Sequence, residues 1–256
     1  MKSEKENLKI TAIIPTFNEE IHIEDAIKSV SFADEIIVID SYSTDKTVEL
    51  ARKHNVKLIQ RVFDDFSTQK NFAIDQATYD WIYVLDADER VTPPLREEIL
   101  QAVKNPGEFV GFYAYRTFYF IGRKVNYSGW QRDKVIRLFL KKYCRYNGNP
   151  VHEVIQADGK IGFFKNKLEH YSYRNFDHYI SKLNQYSWLR AKQLHDQGKK
   201  VGIYHVLVKP IARFFIHYII RLGFLDGFPG FVVAVTQSYG VLTRYIKLWL
   251  INHGLR

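Results

Sequence analysis

Four short apolar runs within the first hundred residues, separated by helical segments, constrain this chain more than any other feature. They are "KITAIIPTF", "DEIIVID", "VKLIQR" and "WIYVLDADE". Each is short, rich in Ile, Val or aromatics, and bounded by polar or turn residues, so each reads as a strand. The intervening segments have helical spacing. "EEIHIEDAIKSVSF" places Ile21, Ile23, Ala26, Ile27 and Val30 on one side. "STDKTVELARKHN" offers Ser43 or Thr44 as an N-cap, and "FSTQKNFAIDQAT" again starts on Ser/Thr. "TPPLREEILQAVKN" carries proline in its first turn and acids near its positive end. Strand–helix alternation with continuous apolar strands predicts an α/β fold, a mostly parallel sheet covered by helices on both faces.

Ligands on such sheets bind at the C-terminal strand ends. Asn18 and Glu19 follow the first run, Asp40 and Ser41 the second, and Asp86 and Asp88 the fourth. In parallel strands these three sets share one edge. Asp86 and Asp88, two residues apart on an extended chain, point to the same side and repel. A hard divalent cation relieves that repulsion, and Mg²⁺ or Mn²⁺ pairs one or two carboxylates with phosphate oxygens. The pair therefore suggests a metal–diphosphate site. Solvated surface acids are the competing reading.

Beyond about residue 109 the pattern changes to alternating, aromatic-rich runs, "FVGFYAYRTFYFIGRKV" and "DKVIRLFLKKYCRY". These predict antiparallel strands added to the same sheet. "HYISKLNQYSWLRAKQLHDQG" predicts an amphipathic helix ended by Gly198. In "YHVLVKPIARFFIHYIIRLGFL" the polar residues Lys209, Arg213, His217 and Arg221 recur every four positions, a stripe along an otherwise apolar helix. After "DGFPG" a second apolar segment follows, "FVVAVTQSYGVLTRYIKLWLIN". This is the pattern of helices lying in a membrane interface with basic side chains toward lipid phosphates. A helical hairpin packed on protein is the alternative.

Charge follows the same division. Residues 160–256 hold 15 Lys+Arg against 4 Asp+Glu, and the rest of the chain is slightly acidic, within a total of +9. The excess implies a polyanionic partner, a membrane surface or nucleic acid. The basic residues lie among Phe, Ile and Leu and match no nucleic-acid module, so no nucleic acid is expected. Cys144 is the only cysteine, which excludes an internal disulfide and fits a reducing compartment. "MKSEKENLK" lacks an apolar h-region, so no signal peptide is expected. No run of 18 apolar residues occurs, so a simple transmembrane helix is not expected.

"IIPTFNEE", "IVIDSYSTDKT", "QKNFAIDQA" and "VLDADE" together resemble the nucleotide-sugar-binding half of family 2 glycosyltransferases, the inverting GT-A type. "VIRLFLKKYCRYNGNPVHEVI" and the C-terminal "GFLDGFPG" are similar to the subgroup containing lipopolysaccharide core β-glucosyltransferases. The resemblance implies a Rossmann-like GT-A domain over 1–198, with a nucleotide-sugar half at 1–105 and an acceptor half at 106–198. A basic, apolar helical region at 199–256 would associate with the membrane.

It also implies site roles. Pro15, Thr16, Asn18 and Glu19 would line the nucleotide pocket, and Asp40 would accept a hydrogen bond from the base, with Ser41 and Ser43 in the same loop. Lys70 would lie near the base or the diphosphate. Asp86 would face ribose and metal, and Asp88 would bind Mg²⁺ or Mn²⁺. Glu153 in "NPVHEVI" would be the base that deprotonates the acceptor hydroxyl; the family's commoner form has an acid pair where this chain has His152 and Glu153. His170 is a candidate third metal ligand or a structural histidine. Trp130, Gln131 and Arg132 are a candidate acceptor wall, or Trp130 is a core residue.

The implied reaction moves one hexose from a nucleotide diphosphate sugar, a UDP-sugar favoured, to a membrane glycolipid of the lipopolysaccharide core or another envelope glycan. The implied location is cytoplasmic, peripheral on the inner face of the bacterial plasma membrane. The Q-x-x-R-W motif of processive members is absent, which argues against chain polymerisation. A sugar nucleotidyltransferase would share the sheet and carboxylates. It needs a Gly-rich phosphate loop where this chain reads "PTFNEE", acidic and glycine-free.

Overall fold

A computed structural model describes residues 8–130, 133–148, 154–173 and 175–255. They fall into two compact units, one of residues 1–116 and 133–170, the other of 117–132 and 171–256.

The first unit is the expected α/β layer. Strands β1 (Ile10–Thr16), β2 (Glu35–Asp40), β3 (Lys57–Gln60) and β4 (Trp81–Val84) are mutually parallel, in the order β3-β2-β1-β4. After the short β5 (Glu89–Arg90), strands β6 (Phe109–Phe120) and, past β7 (Arg123–Val125), β8 (Lys134–Leu140) extend the sheet. β8 lies antiparallel to both β4 and β6, as the alternating pattern predicts. β9 (Cys144–Tyr146) and β10 (Ile155–Ala157) form a separate ribbon. β11 (Lys160–Phe163) pairs with β6, and β12 (Leu168–His170) pairs antiparallel with β5.

Alternate residues of β1 feed two cores, one per face. Ile10, Ala12 and Ile14 pack with helix α1 (Ile23–Ser29) through Ile23, Ala26 and Ile27, and helix α2 (Thr47–Ala51) adds Ala51. Ile13 packs on the other face with Ala73 and Ile74 of α3 (Phe66–Asp75). Helix α4 (Pro93–Lys104), capped by Thr92 with Pro93 at its start, closes the first face through Leu95, Ile99 and Val103.

Two expected caps shift. α2 begins after Lys46, because Ser43 is committed to Asp40 and Asp45 takes over, accepting from the Thr47 N–H at 2.9 Å. α3 is capped by Asp65, which accepts from the Thr68 N–H at 2.8 Å. Ile21, expected on the buried side of α1, is exposed because it precedes the helix.

The second unit is helical. α5 (Phe176–Asp196) ends before Gly198, which takes the left-handed φ of 67° that the sequence anticipates. The chain then runs through a wide π-helical turn at Tyr204–Val208, α6 (Lys209–Phe215), a second wide turn at Ile216–Ile220, a tight 3₁₀ turn at Gly223–Asp226, and α7 (Gly227–Asn252). Pro210 removes a backbone donor at the start of α6, and the widened turn directly before it accommodates the ring. α5 lies along α7. Gly240 admits Leu183 so closely that an added Cβ would meet it at 3.1 Å. Tyr179 Oη and Thr236 Oγ1 are 2.7 Å apart, and Lys247 Nζ donates to Asn184 O at 2.9 Å. The division expected after residue 198 therefore falls inside this unit, because α5 buries its apolar side on α7.

The basic stripe is also turned the other way from expectation. His217 is buried and Arg213 and Arg221 are half-buried, while Phe215, Ile219 and Ile220 between them are exposed. Ile203, Ile220 and Phe228 are 78%, 74% and 77% exposed. No single helix among the described residues is long and apolar enough to cross a membrane; the pair Tyr204–Ile220 and Gly223–Asn252, bent by 68°, meets that test by length and composition only.

His217 Nδ1 lies 2.8 Å from Ser128 O, which can only accept, so Nδ1 carries the proton and Nε2 is an acceptor. Burial pushes its pKa down to about 4. The unfolded chain, near 6.5, binds the proton first as pH falls. The neutral ring thus stabilises the fold above pH 6.5, and about 3 kcal/mol is lost between pH 6.5 and 4. Denaturant unfolding at pH 7 and pH 4 should show this loss, and His217→Gln, which keeps a donor without titrating, should show a correspondingly smaller one. Equal losses in both proteins would refute the assignment.

Candidate active site

The C-terminal ends of β1, β2 and β4 form one edge, as expected. Thr16 pairs in register with Asp40, and the Leu85 N–H donates to Ile13 O at 2.9 Å, carrying the chain past β4 to Asp86. Two loops along that edge are stitched together. The Asn18 N–H donates to Ser43 Oγ and the Thr44 N–H to Asn18 Oδ1, both at 2.8 Å. The Glu19 N–H donates to Thr47 Oγ1 at 2.8 Å. Asn18 holds a left-handed φ of 54°, a conformation Asn tolerates better than most residues.

Asp40 is fully buried. Its carboxylate accepts from the Ser43 N–H at 3.0 Å, from Ser43 Oγ at 2.5 Å and from Gln60 Nε2 at 3.1 Å. Its first role is thus to fold the Ser41–Thr44 loop. Ser41 Oγ accepts from Gln69 Nε2 at 3.2 Å, tying the loop to α3. Pro15 pairs with Ile39 just before Thr16, the last paired residue of β1, whose Oγ1 is buried and has no hydrogen-bond partner. A buried hydroxyl of that kind on a strand end fits a site that receives a polar ligand.

The second half of the site is a buried ion cluster that the sequence reading left out. Arg137, on β8, donates through Nη2 to Asp86 Oδ2 and to Glu89 Oε1, each at 2.5 Å. Arg116 Nη1 reaches Glu89 Oε1 at 3.4 Å and Arg116 Nη2 pairs with Asp133 at 2.5 Å. Lys70 Nζ lies 3.5 Å from Asp86 Oδ1 and 5.2 Å from the centre of the Tyr146 ring. Burial alone would raise the Asp86 pKa; Arg137 and then Lys70 outweigh it and hold the carboxyl well below the usual range. Glu89 has no exposed surface, and burial, aided by the Asp86 charge, pushes its pKa up against the pull of Arg137. The signal for this cluster was present in "KVIRLFL": an arginine inside a buried strand requires carboxylate partners.

The cluster engages one of the expected metal ligands. Asp86 turns its oxygens to Arg137 and Lys70. Asp88 Oδ2 lies 3.4 Å from His170 Nε2, brought there by the β5–β12 pairing. Among the described residues no three His, Cys, Asp or Glu side chains group closely enough to hold a metal by themselves. Asp88 with His170 remains a two-ligand set. That set fits Mg²⁺ or Mn²⁺ only where a ligand's phosphate oxygens and water complete the shell.

The remaining candidates divide in two. Trp130, partly buried, packs edge-on against Phe118 at the margin of the cluster of Phe120, Val125 and Tyr179 in the second unit. Gln131, Arg132, His152 and Glu153 lie outside the described residues.

Residues 11–171 match the family Glycosyl transferase family 2. A protein named uncharacterized glycosyltransferase from Rickettsia typhi is 32% identical over 94% of this chain and 86% of its own. The lipopolysaccharide core biosynthesis glycosyltransferase LpsC of Rhizobium meliloti is 30% identical over 97% of this chain and 94% of its own. Among solved structures, glucosyl-3-phosphoglycerate synthase of Mycobacterium tuberculosis, in complex with Mn²⁺, UDP and phosphoglyceric acid, superposes with a TM-score of 0.37 at 24% identity. That match spans 43% of each chain. The strand-end motifs and these sequence relationships agree: the chain is a glycosyltransferase and belongs to glycosyl transferase family 2.

Proposed function

We propose that this glycosyltransferase moves a hexose, with inversion, from a nucleotide diphosphate sugar to a membrane glycolipid of the cell envelope. A UDP-sugar is the favoured donor and a lipopolysaccharide core lipid the favoured acceptor. The observation that carries the reading is the convergence of Thr16, Asn18, the Asp40–Ser43 loop and Asp86–Asp88 on one sheet edge. Such an edge offers hydrogen-bond acceptors for a base and ribose and a carboxylate for the diphosphate's counterion. The relative LpsC, named for lipopolysaccharide core biosynthesis, supports the acceptor class.

Asp88, with His170 beside it, would hold Mg²⁺ or Mn²⁺. That ion would neutralise the diphosphate and stabilise it as a leaving group. Asp86, fixed by Arg137, faces the same edge as an acceptor for ribose hydroxyls. Glu153 would take the proton of the acceptor hydroxyl as its oxygen attacks the anomeric carbon and the bond from that carbon to the diphosphate oxygen breaks. A sugar nucleotidyltransferase is not favoured, because the loop after β1 holds no glycine-rich phosphate cradle.

The outward apolar face of the second unit supports a peripheral membrane location, on the cytoplasmic leaflet where soluble nucleotide sugars occur. A helix that exposes Ile and Phe and turns its arginines inward suits a hydrocarbon boundary better than water.

Saturation-transfer binding and hydrolysis of UDP-, GDP- and dTDP-sugars with Mn²⁺ test the donor. Asp88→Asn should weaken metal-dependent donor binding by about 100-fold. Glu153→Gln should keep donor binding and lose about 10²- to 10⁴-fold in transfer. Equal loss of donor binding in both variants would place the base elsewhere, and no binding of any nucleotide sugar would end the proposal. For the membrane, Ile220→Ser with Phe228→Ser should lower flotation with neutral phosphatidylcholine vesicles at least about tenfold. Unchanged flotation would contradict the outward apolar face as the docking surface.

A further inference from the structure

We propose that Arg213 and Arg221 in the second unit form a binding site for a phosphate monoester, separate from the nucleotide edge and independent of the transfer reaction. Arg213 Nη1 and Arg221 Nη1 each lie 3.4 Å from the same atom, His217 Nε2. One neutral imidazole lone pair thus serves two guanidiniums. Arg221 lies flat across Gly129, where an added Cβ would meet its Nη1 at 2.3 Å, so the glycine clears space for it. Burial lowers the pKa of Arg213, and Arg221's charge adds to that lowering.

Among the described residues no carboxylate lies within 4.0 Å of these two guanidiniums. Asp226, the acid closest to them along the chain, is committed elsewhere. It accepts from the Asn126 N–H at 2.8 Å and the Tyr127 N–H at 2.9 Å, and Ser128 Oγ is 3.3 Å away. Gathering like charges out of water with no counterion is unfavourable, and a polyanion reverses it. Guanidinium forks match phosphate oxygens in pairs, and two forks suit a tetrahedral dianion better than a single carboxylate. The exposed Ile211, Phe215, Ile219 and Ile220 on the same helical run point to a lipid headgroup as one source of that phosphate. A soluble phosphate ester is the other.

Calorimetry of the full chain with inorganic pyrophosphate in EDTA removes the metal-dependent contribution of the strand edge, and the variants below assign what remains. Arg213→Gln with Arg221→Gln should weaken pyrophosphate at least about tenfold. Lys199→Gln with Lys200→Gln, which removes the same charge from exposed positions, should change it less than about twofold. Asp88→Asn should keep it, which separates this site from the donor reading. If the arginine pair impairs folding by circular dichroism, Arg221→Lys, which keeps the charge and loses the fork, should still weaken binding. Flotation with vesicles containing phosphatidic acid assigns the source. Loss of preference over neutral vesicles in the arginine variant indicates the headgroup, and retained preference with lost pyrophosphate binding indicates a soluble ester. Equal weakening by the lysine pair, or none by the arginine variants, would overturn the proposal.

Discussion

The first unit depends on one buried cation. Arg137 enters the core on β8 and bridges Asp86 to Glu89. Without it, two carboxylates at the end of β4 would repel inside a low-dielectric site. Removing one partner from such a group typically costs about 3–5 kcal/mol, because the other charges stay buried and uncompensated. The bridge also separates the acids by role. Asp86 is held ionised and aimed by Arg137 and Lys70, Glu89 is the internal strut, and Asp88 is directed at His170. A strand ending in clustered acid is therefore a pre-set charge pattern, with its positive half supplied from a strand fifty residues later. Such fixed dipoles and charges need no reorganisation when a charged ligand arrives.

The second unit shows the opposite arrangement. Its arginines turn inward around His217, and its isoleucines and phenylalanines turn outward. In water that polarity exposes a large apolar surface; at a lipid boundary it is the economical one. The four-residue spacing of Lys209, Arg213, His217 and Arg221 is real in the helix, but spacing alone does not say which side the stripe faces. Packing decides it. Lys209 Nζ donates to Tyr245 Oη at 2.7 Å and His217 to Ser128 O, so the stripe is the side held by protein.

The parallel order β3-β2-β1-β4 and the antiparallel β8 and β6 were legible because strand period and strand–helix alternation are local patterns. The shared edge of Asn18, Asp40 and Asp86 followed from that order without any contact being known. Two things were not legible. The pairing of Arg137 with Asp86 is one, a contact between residues 51 positions apart. The grouping of α5 with α7 depends on a close approach at Gly240, which spacing does not encode. Both are long-range choices among locally equivalent options.

Anomalous diffraction from crystals of the protein with UDP and Mn²⁺ addresses the central claim directly, that Arg137 reserves Asp86 and leaves Asp88 to the metal. The account predicts one Mn²⁺ peak at about 2.1 Å from an Asp88 oxygen, with Arg137 still bridging Asp86 and Glu89. A Mn²⁺ ion on Asp86 with Arg137 displaced, or no peak at this strand edge, would contradict it.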